Sequence, residues 1–462
     1  MSISSLLNTS KDRLLSYQLA LDLAGANIAN VNTPGYSRQR AVFNAVGKAD
    51  VNAVRVQIGV NVVSVERIYD QYLDNLVVEQ SQVMGYNEAK SDVLNRVEGI
   101  FAENGGGVGD QLNKFWNAWG GLSANPNGQV ERENLLAAAE NMTSTFRRLD
   151  SDLTKVAQDA GDNILNIVSQ LNDYLSQVAD LNHQITSVAK DRGETNILKD
   201  KRTDLLNKIG NFVDMMYVED ANGAVNIFLA DGRSLLIGDS VSKLAGKTNV
   251  DNVIDDIVYE DNPSESLKNA ITQGENGKLA ALLEIGDVVI PGYREKLDAV
   301  ANALIAEVNA QHAQGYDISG NTGGDFFDPA TTGASDVRVS AAVAADANKI
   351  AASSTVSGDG ENARLISAIK DEPVLDVGTA TISDYYASLI GQIGRDIAGA
   401  KSGVKSQTSI MEQLSNRREA ASGVSLDEEM MDIIKYQMAY NAAGKMVSTV
   451  NQLMETLMQL GK

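Results

Sequence analysis

Along the first 31 positions apolar residues recur at alternating intervals of three and four: Ile3, Leu7, Leu14, Tyr17, Leu21, Ala24, Ile28 and Val31, with Ser10 the one polar gap. So narrow a stripe predicts an amphipathic helix with a coiled-coil seam rather than a broad core-facing side. The pattern stops at Asn32-Thr33-Pro34-Gly35. A proline disfavours helical conformation at the residue before it, and Pro-Gly suits the centre of a type II turn. The far end mirrors this. Ser425-Leu426-Asp427-Glu428 reads as a capping box, in which Ser425 caps a helix and Glu428 reaches back to it. The helix then continues towards Leu460 with a seam at Ala443, Val447, Val450, Met454 and Leu457.

Between these ends the period changes several times. Residues 40–70 alternate and are rich in valine, which predicts a hairpin or extended ribbon. Helices follow over about 70–101, around Leu112, Phe115, Trp116 and Trp119, and over a long stretch from the Asn125-Pro126-Asn127-Gly128 turn to about 190. The stripe of that long helix is Ile164, Val168, Leu171, Leu175, Val178, Leu181, Ile185 and Val188. From about 212 to 260 the period is two, with Asn222-Gly223 and Asp231-Gly232 as turn signals. Helix returns over about 278–313 with a break expected at Pro291-Gly292, then a polar loop over 315–335, short elements to 370, and a long helix over about 383–421.

Composition narrows the function classes. The chain has 462 residues, 43% of them hydrophobic, enough for two to four cored domains. Its formal net charge of −22 argues against nucleic acid and anionic membrane as partners, because both need a basic footprint. There is no cysteine, so disulfides, thiolate chemistry and cysteine metal sites are excluded. Met1 to Ser10 lacks a charged segment followed by an apolar core, and no stretch approaches the ~18 apolar residues of a membrane span. That places the chain in the cytosol unless it is exported by a route that reads no cleavable signal.

Candidate chemistry is sparse. The two histidines, His183 and His312, have no evident partner and are expected to be solvated and structural. Gly105 to Gly109 lacks the Lys-Ser/Thr ending of a phosphate loop. Asp317, Ser319, Asn321, Asp325 and Asp328 follow a calcium-loop spacing, but Thr322 replaces the glycine and Asp328 the bidentate glutamate, so a polar turn is expected. Asp427, Glu428 and Glu429 sit where negative charge suits a helix dipole, and Trp116 and Trp119 are spaced for core packing. No enzyme, cofactor or metal is expected.

Both ends carry a resemblance. The run from Ala26 to Gln39 (ANIANVNTPGYSRQ) resembles the N-terminal signature of the flagellar rod, hook and hook-associated axial protein family. Gly423 to Glu429 (GVSLDEE), followed by Tyr436 to Tyr440 (YQMAY), resembles its C-terminal signature. Leu112 to Pro126 with Arg132, Ile197 to Leu206, and Gly315-Tyr316-Asp317 with Gly324 to Phe327 are similar to the hook-associated branch that joins hook to filament. The likeness is weakest over the β-rich stretch and over 330–380.

The resemblance implies a mainly α, nested chain with a small β-rich insertion. Residues 1–40 with 425–462 would form a terminal coiled-coil domain, 41–211 with 278–424 a helical-bundle middle domain, and 212–277 an inserted outer β domain. The assembly seam would comprise Leu7, Leu14, Tyr17, Leu21, Ala24, Ile28, Val31, Ala443, Val447, Val450, Met454 and Leu457. The signature turn would be Asn32, Thr33, Pro34, Gly35 and Tyr36, and the cap Ser425 with Glu428. The implied role is a secreted adaptor of the extracellular flagellum, exported through the flagellar type III channel and placed at the hook–filament junction. Implied partners are further copies forming a ring or helical layer, the hook protein, a second junction protein, the filament cap, the filament side and a cytosolic export chaperone. A rod or hook protein, which would lack the helical stretch over 127–190, is the alternative within the family. A secreted hydrolase using paired carboxylates is the alternative outside it, disfavoured because no site can be identified.

Overall fold

Long apolar stripes become long helices. The computed structural model describes residues 3–33, 35–51, 54–101, 106–187, 194–248, 254–355 and 358–460. Helix α1 (Ile3–Ala29) leads into the antiparallel hairpin β1 (Gln39–Val51) and β2 (Val54–Arg67). Four helices follow: α2 (Gln71–Phe101), α3 (Val108–Ala124), α4 (Gln129–Ser187) and α5 (Glu194–Phe212). Strands β3 (Met215–Glu219), β4 (Val225–Leu229), β5 (Ser234–Ile237) and β6 (Ser240–Val241) form one antiparallel sheet in that order, and β7 (Leu244–Thr248) pairs with β8 (Ile254–Tyr259). Then come α6 (Lys268–Thr272), α7 (Gly277–Glu284), α8 (Ile290–His312), α9 (Ala341–Ala345), α10 (Glu361–Ala368), α11 (Ile382–Ser422) and α12 (Leu426–Leu460).

The chain is nested in two compact units. One comprises Met1–Met84, Gln170–Lys243 and Ser406–Lys462, and the other Gly85–Ser169 with Leu244–Lys405. The stretch read as one β-rich insertion, 212–277, is divided between them, since β3–β6 fall in the first unit and β7–β8 in the second. Phe212, expected to open a strand, instead closes α5.

In the first unit the sheet is fastened to helices by buried polar side chains. Asn182 on α4 donates from Nδ2 to the Val225 carbonyl at 2.8 Å and accepts the Val225 N–H at 3.0 Å. Buried Arg202 on α5 donates to the Gly223 carbonyl and to Glu219. Along α4 the stripe faces inward from Ile164 to Ile185, with Leu181 half-buried, and Val188 lies outside the described residues.

The second unit has an aromatic core. Phe115, Trp116 and Trp119 of α3 are buried with Phe326 and Phe327, the Trp119 and Phe326 rings 5.2 Å apart. Arg132, also buried, donates to the carbonyls of Ile350 at 2.7 Å and Pro126 at 2.6 Å, so its charge holds two loops against the start of α4. Burial pulls its pKa below the ordinary value.

Two local expectations are corrected. Helix does not break at Pro291: α7 runs into a π turn over Ile285–Val289 and on into α8, with Pro291 in the first turn of α8. Proline lacks an N–H, so the ladder must skip a bond there, and the wider turn absorbs the irregularity. His312 is not solvated. It is fully buried between Trp119 and Phe326, accepts the Ala351 N–H on Nε2 at 2.8 Å, and donates from Nδ1 to the Gly324 carbonyl at 2.6 Å. His183 is exposed, as expected.

That pairing demands neutral imidazole, because protonating Nε2 would oppose it to the Ala351 N–H. Burial accordingly lowers the His312 pKa below its ordinary value, an effect only partly offset by the bond to Gly324. As pH falls, the unfolded chain takes up this proton first, at about 6.5. Stability is therefore complete above that value and declines below it, by up to about 1.4 kcal/mol per pH unit until the folded pKa is reached. Denaturation of the native chain and His312→Gln, compared between pH 7.5 and 5.5, should show a smaller acid loss in the variant. Equal losses would contradict the assignment.

Candidate assembly site at the paired termini

The first and last helices pack along each other, with β1 and β2 against α1. The depth of burial is not what the apolar stripe suggests. Ser10, Ser16, Ala20, Ala24 and Asn27 are the buried positions of α1. Leu7, Leu14, Tyr17, Leu21, Ile28 and Val31 are only half-buried, and the Ile3 side chain is not described. Small residues let two backbones approach closely, and Ser10 and Ser16 turn their hydroxyls onto the Leu6 and Asp12 carbonyls of their own helix. On α12, Ala443 and Val450 are buried, Val447 is half-buried, and Met454 and Leu457 are exposed. An aromatic bridge crosses the site, from Tyr17 to Phe43 at 5.9 Å and on to Tyr436 at 6.0 Å.

The turn after α1 has the expected geometry at its described residues. Tyr36 N–H donates to the Thr33 carbonyl at 3.2 Å, and Gly35 has φ of +79°, which a side chain would strain. No atom lies within 4 Å of where a Gly35 Cβ would stand, so the requirement is conformational, not steric. Pro34 lies outside the described residues.

The turn delivers the chain to a polar clasp centred on Asn27. Its Nδ2 donates to the Gln39 carbonyl at 2.9 Å and to Glu429 Oε2 at 3.1 Å. Its Oδ1 accepts from the Gln39 N–H at 3.0 Å and the Tyr36 hydroxyl at 2.8 Å. All four bonds a side-chain amide can make are therefore made. Arg38 adds charge: Nη1 lies 2.5 Å from Glu428 and Nε 2.5 Å from Glu429 Oε1, the latter an ion pair rather than an aligned hydrogen bond. Burial works against the Arg38 charge, but the bonds to Glu428 and the field of Glu429 outweigh it and raise its pKa. Tyr36 is pushed up to about 12, first by burial and then by Asp200 and Glu429, so it stays a neutral donor. Glu428, expected to reach back to Ser425, extends to Arg38 instead; the Ser425 carbonyl accepts the Glu429 N–H at 3.0 Å.

Further bonds fasten the clasp to its unit. Asp200 on α5 accepts the Ser37 N–H at 3.1 Å and pairs with Arg67 at 2.7 Å. Arg38 N–H donates to the Ser422 carbonyl at the end of α11, and Arg418 pairs with buried Asp74 of α2 at 3.1 Å. Burial raises the Asp74 pKa, with Arg418 opposing. A hollow of about 620 Å³ beside the turn is lined by Thr33, Tyr36, Leu181, Ile197 and three carboxylates, Asp180, Asp200 and Asp204. Two of these are engaged, Asp200 as above and Asp204 by Lys208 at 2.7 Å.

Among the described residues no three acidic or histidine side chains could hold a metal ion together, and no helix is long and apolar enough to cross a membrane. In the 317–328 loop, Asp317 accepts the Ser319 and Asn321 N–H groups, and Asp328 pairs with Arg338.

Asn27 and Glu429 were legible only as letters within the two terminal signatures. A helix-disfavoured amide in phase with Ala20 and Ala24, four and three residues apart, was the signal available. Asn27→Ala should leave Gln39 and Glu429 with unpaired buried groups and cost about 3 kcal/mol. Hydrogen exchange over 426–450 should accelerate in this variant; unchanged protection there would show that the clasp does not hold α12.

Residues 94–327 match the helical domain of the flagellar hook-associated protein FlgK. Residues 7–36 match the flagella basal body rod protein family, and 418–460 the flagellar basal body rod FlgEFG protein C-terminal region. Flagellar hook-associated protein 1 of Bacillus subtilis (strain 168) is 30% identical, over 97% of this chain and 96% of that one. Its counterpart from Escherichia coli (strain K12) is 25% identical over 99% and 100%. In fold the chain resembles the flagellar hook junction protein FlgK from Burkholderia pseudomallei, with a TM-score of 0.66 and 15% identity over 75% of this chain and 100% of that one. With both termini, the helical region and nearly the full length matched, the chain belongs to the flagellar hook-associated protein 1 family.

Proposed function

We propose that this chain is a non-enzymatic structural adaptor of the bacterial flagellum, exported through the flagellar type III channel and assembled where hook meets filament. The observation that carries the reading is the uncovered apolar face of the terminal helices. Met430, Met431, Ile434, Met438, Leu453, Leu457 and Leu460 of α12 are all exposed, as are Leu15 and Leu19 of α1. Between the two helices runs an apolar groove of about 260 Å³ lined by Leu6, Met446, Val450 and Leu453. Fully covering a side chain of this kind contributes about 1.5–3 kcal/mol, so neighbouring subunits have ample driving force for association. An exposed apolar surface of this extent marks an interaction site in a folded chain.

The partners are further copies in a ring or helical layer, the hook protein on one side, and a second junction protein with the filament and its cap on the other. Methionine is unbranched and adapts to different surfaces, which suits a helix that meets a cytosolic export chaperone before export and its neighbours afterwards. The terminal seam named from the sequence serves both steps in this reading, and the signature turn sets the direction in which the chain leaves it.

Met454→Asp with Leu457→Asp places two charges on that face without touching the Asn27 clasp. The double variant should bind the chaperone at least tenfold more weakly by calorimetry, leave hooks without filaments, and release flagellin into the medium. Normal chaperone affinity together with normal filaments would refute the reading. A second variant addresses the turn: Pro34→Ala with Gly35→Ala should be exported at normal levels yet incorporate poorly, which hook preparations would show by immunoblot. Full motility in this strain would mean that assembly does not depend on the turn.

A further inference from the structure

The π turn over Ile285–Val289 stands between two clamped helix segments, all within the second unit. On its N-terminal side everything is fastened to α2 and α6. Glu284 accepts from the Tyr86 hydroxyl and, at 2.9 Å, from Lys90; Lys278 pairs with Glu88 at 3.2 Å. Asp287, inside the turn, pairs with Lys268 of α6 at 2.6 Å. On its C-terminal side the fastening is to α4 and α11. Tyr293 donates to Asp396 at 2.7 Å, Arg294 pairs with Asp150 at 2.7 Å, and Lys296 donates to Gln392.

A π turn is one residue more than the α-helix around it needs, with the Ile290 N–H reaching back five positions to the Ile285 carbonyl. The extra residue can be passed along the helix one bond at a time, while the segments on either side keep their own hydrogen bonds. Here it is kept beside Pro291, which removes one ladder donor, and between Gly286 and Gly292, both weak helix formers with open space around them. Val288, in the middle of the turn, is exposed, while Ile285 and Ile290 at its two ends are buried, so the core holds the ends of the bulge and not its centre.

We propose that residues 285–292 form a register joint at which the segment clamped to α2 and α6 moves against the segment clamped to α4 and α11, leaving both sets of clamps intact. The joint does not rest on the adaptor reading, and its test uses the 462-residue chain. By hydrogen exchange, amides of 286–292 should open at least tenfold faster than those of 279–283 and 297–304. Deleting Val288 removes the extra residue while keeping both helix faces in phase, and should bring the segment to the protection of its flanks. If that variant does not fold, Gly286→Ala with Gly292→Ala should slow exchange in the segment severalfold. Uniform protection in the native chain, or exchange in the segment that neither variant slows, would overturn the proposal.

Discussion

The terminal half of the molecule depends on one buried amide. Asn27 joins a helix, a hairpin and the last helix of the chain, and it leaves none of its own hydrogen-bonding capacity unmet. Glu429, only 2% exposed, is tolerable as a buried carboxylate because Asn27 and Arg38 face it. Removing Arg38 would leave that carboxylate's charge unpaired in low dielectric, which is far more destabilising than the loss of a surface ion pair. The rest of the first unit is arranged around keeping these groups in register: the turn at Gly35 aims Arg38, Asp200 holds Ser37, and Arg418 anchors the end of α11 on Asp74.

The terminal helix pair and the second unit are stabilised by different means. The second is held by volume, with Trp116, Trp119, Phe115, Phe326 and Phe327 packed out of water around a buried histidine. The helix pair of the first has little volume to bury, since the deepest positions of α1 are serine, alanine and asparagine. It relies on close backbone approach and directional bonds, and leaves its larger apolar side chains half-buried or exposed. A helix pair built this way keeps a unique geometry while leaving Met430, Met438, Leu453 and Leu457 exposed.

Much of this was legible in the sequence, and the failures have physical causes. Long helices announce themselves through sustained 3.6-residue periodicity, so α1, α4, α11 and α12 were found with their ends nearly correct. Depth within α1 was not, because hydrophobicity ranks leucine above serine, whereas close helix contact selects for size. His312 was read as solvated because both its partners, the Ala351 N–H and the Gly324 carbonyl, are backbone groups that no sequence pattern displays. Pro291 was read as a break because proline forbids a regular ladder; the π turn is the third option, neither regular nor broken. The clasp itself lay in plain letters at both ends, but nothing in local pattern says that residue 27 meets residue 429.

That separation along the chain has its own consequence. The bond between Asn27 and Glu429 closes a loop of 402 residues, and the pair of Arg38 and Glu428 one of 390. Loop closure on this scale opposes the contact by roughly 5 kcal/mol of chain entropy unless the intervening residues are already folded. Three of the four Asn27 bonds are local, to Tyr36 and Gln39, and only the fourth has to wait for α12. A chain cut short anywhere before residue 429 has no means of filling that place. The pairing thus couples the first helix to the last: the polar place that Glu429 fills beside Asn27 is closed only once α12 has packed.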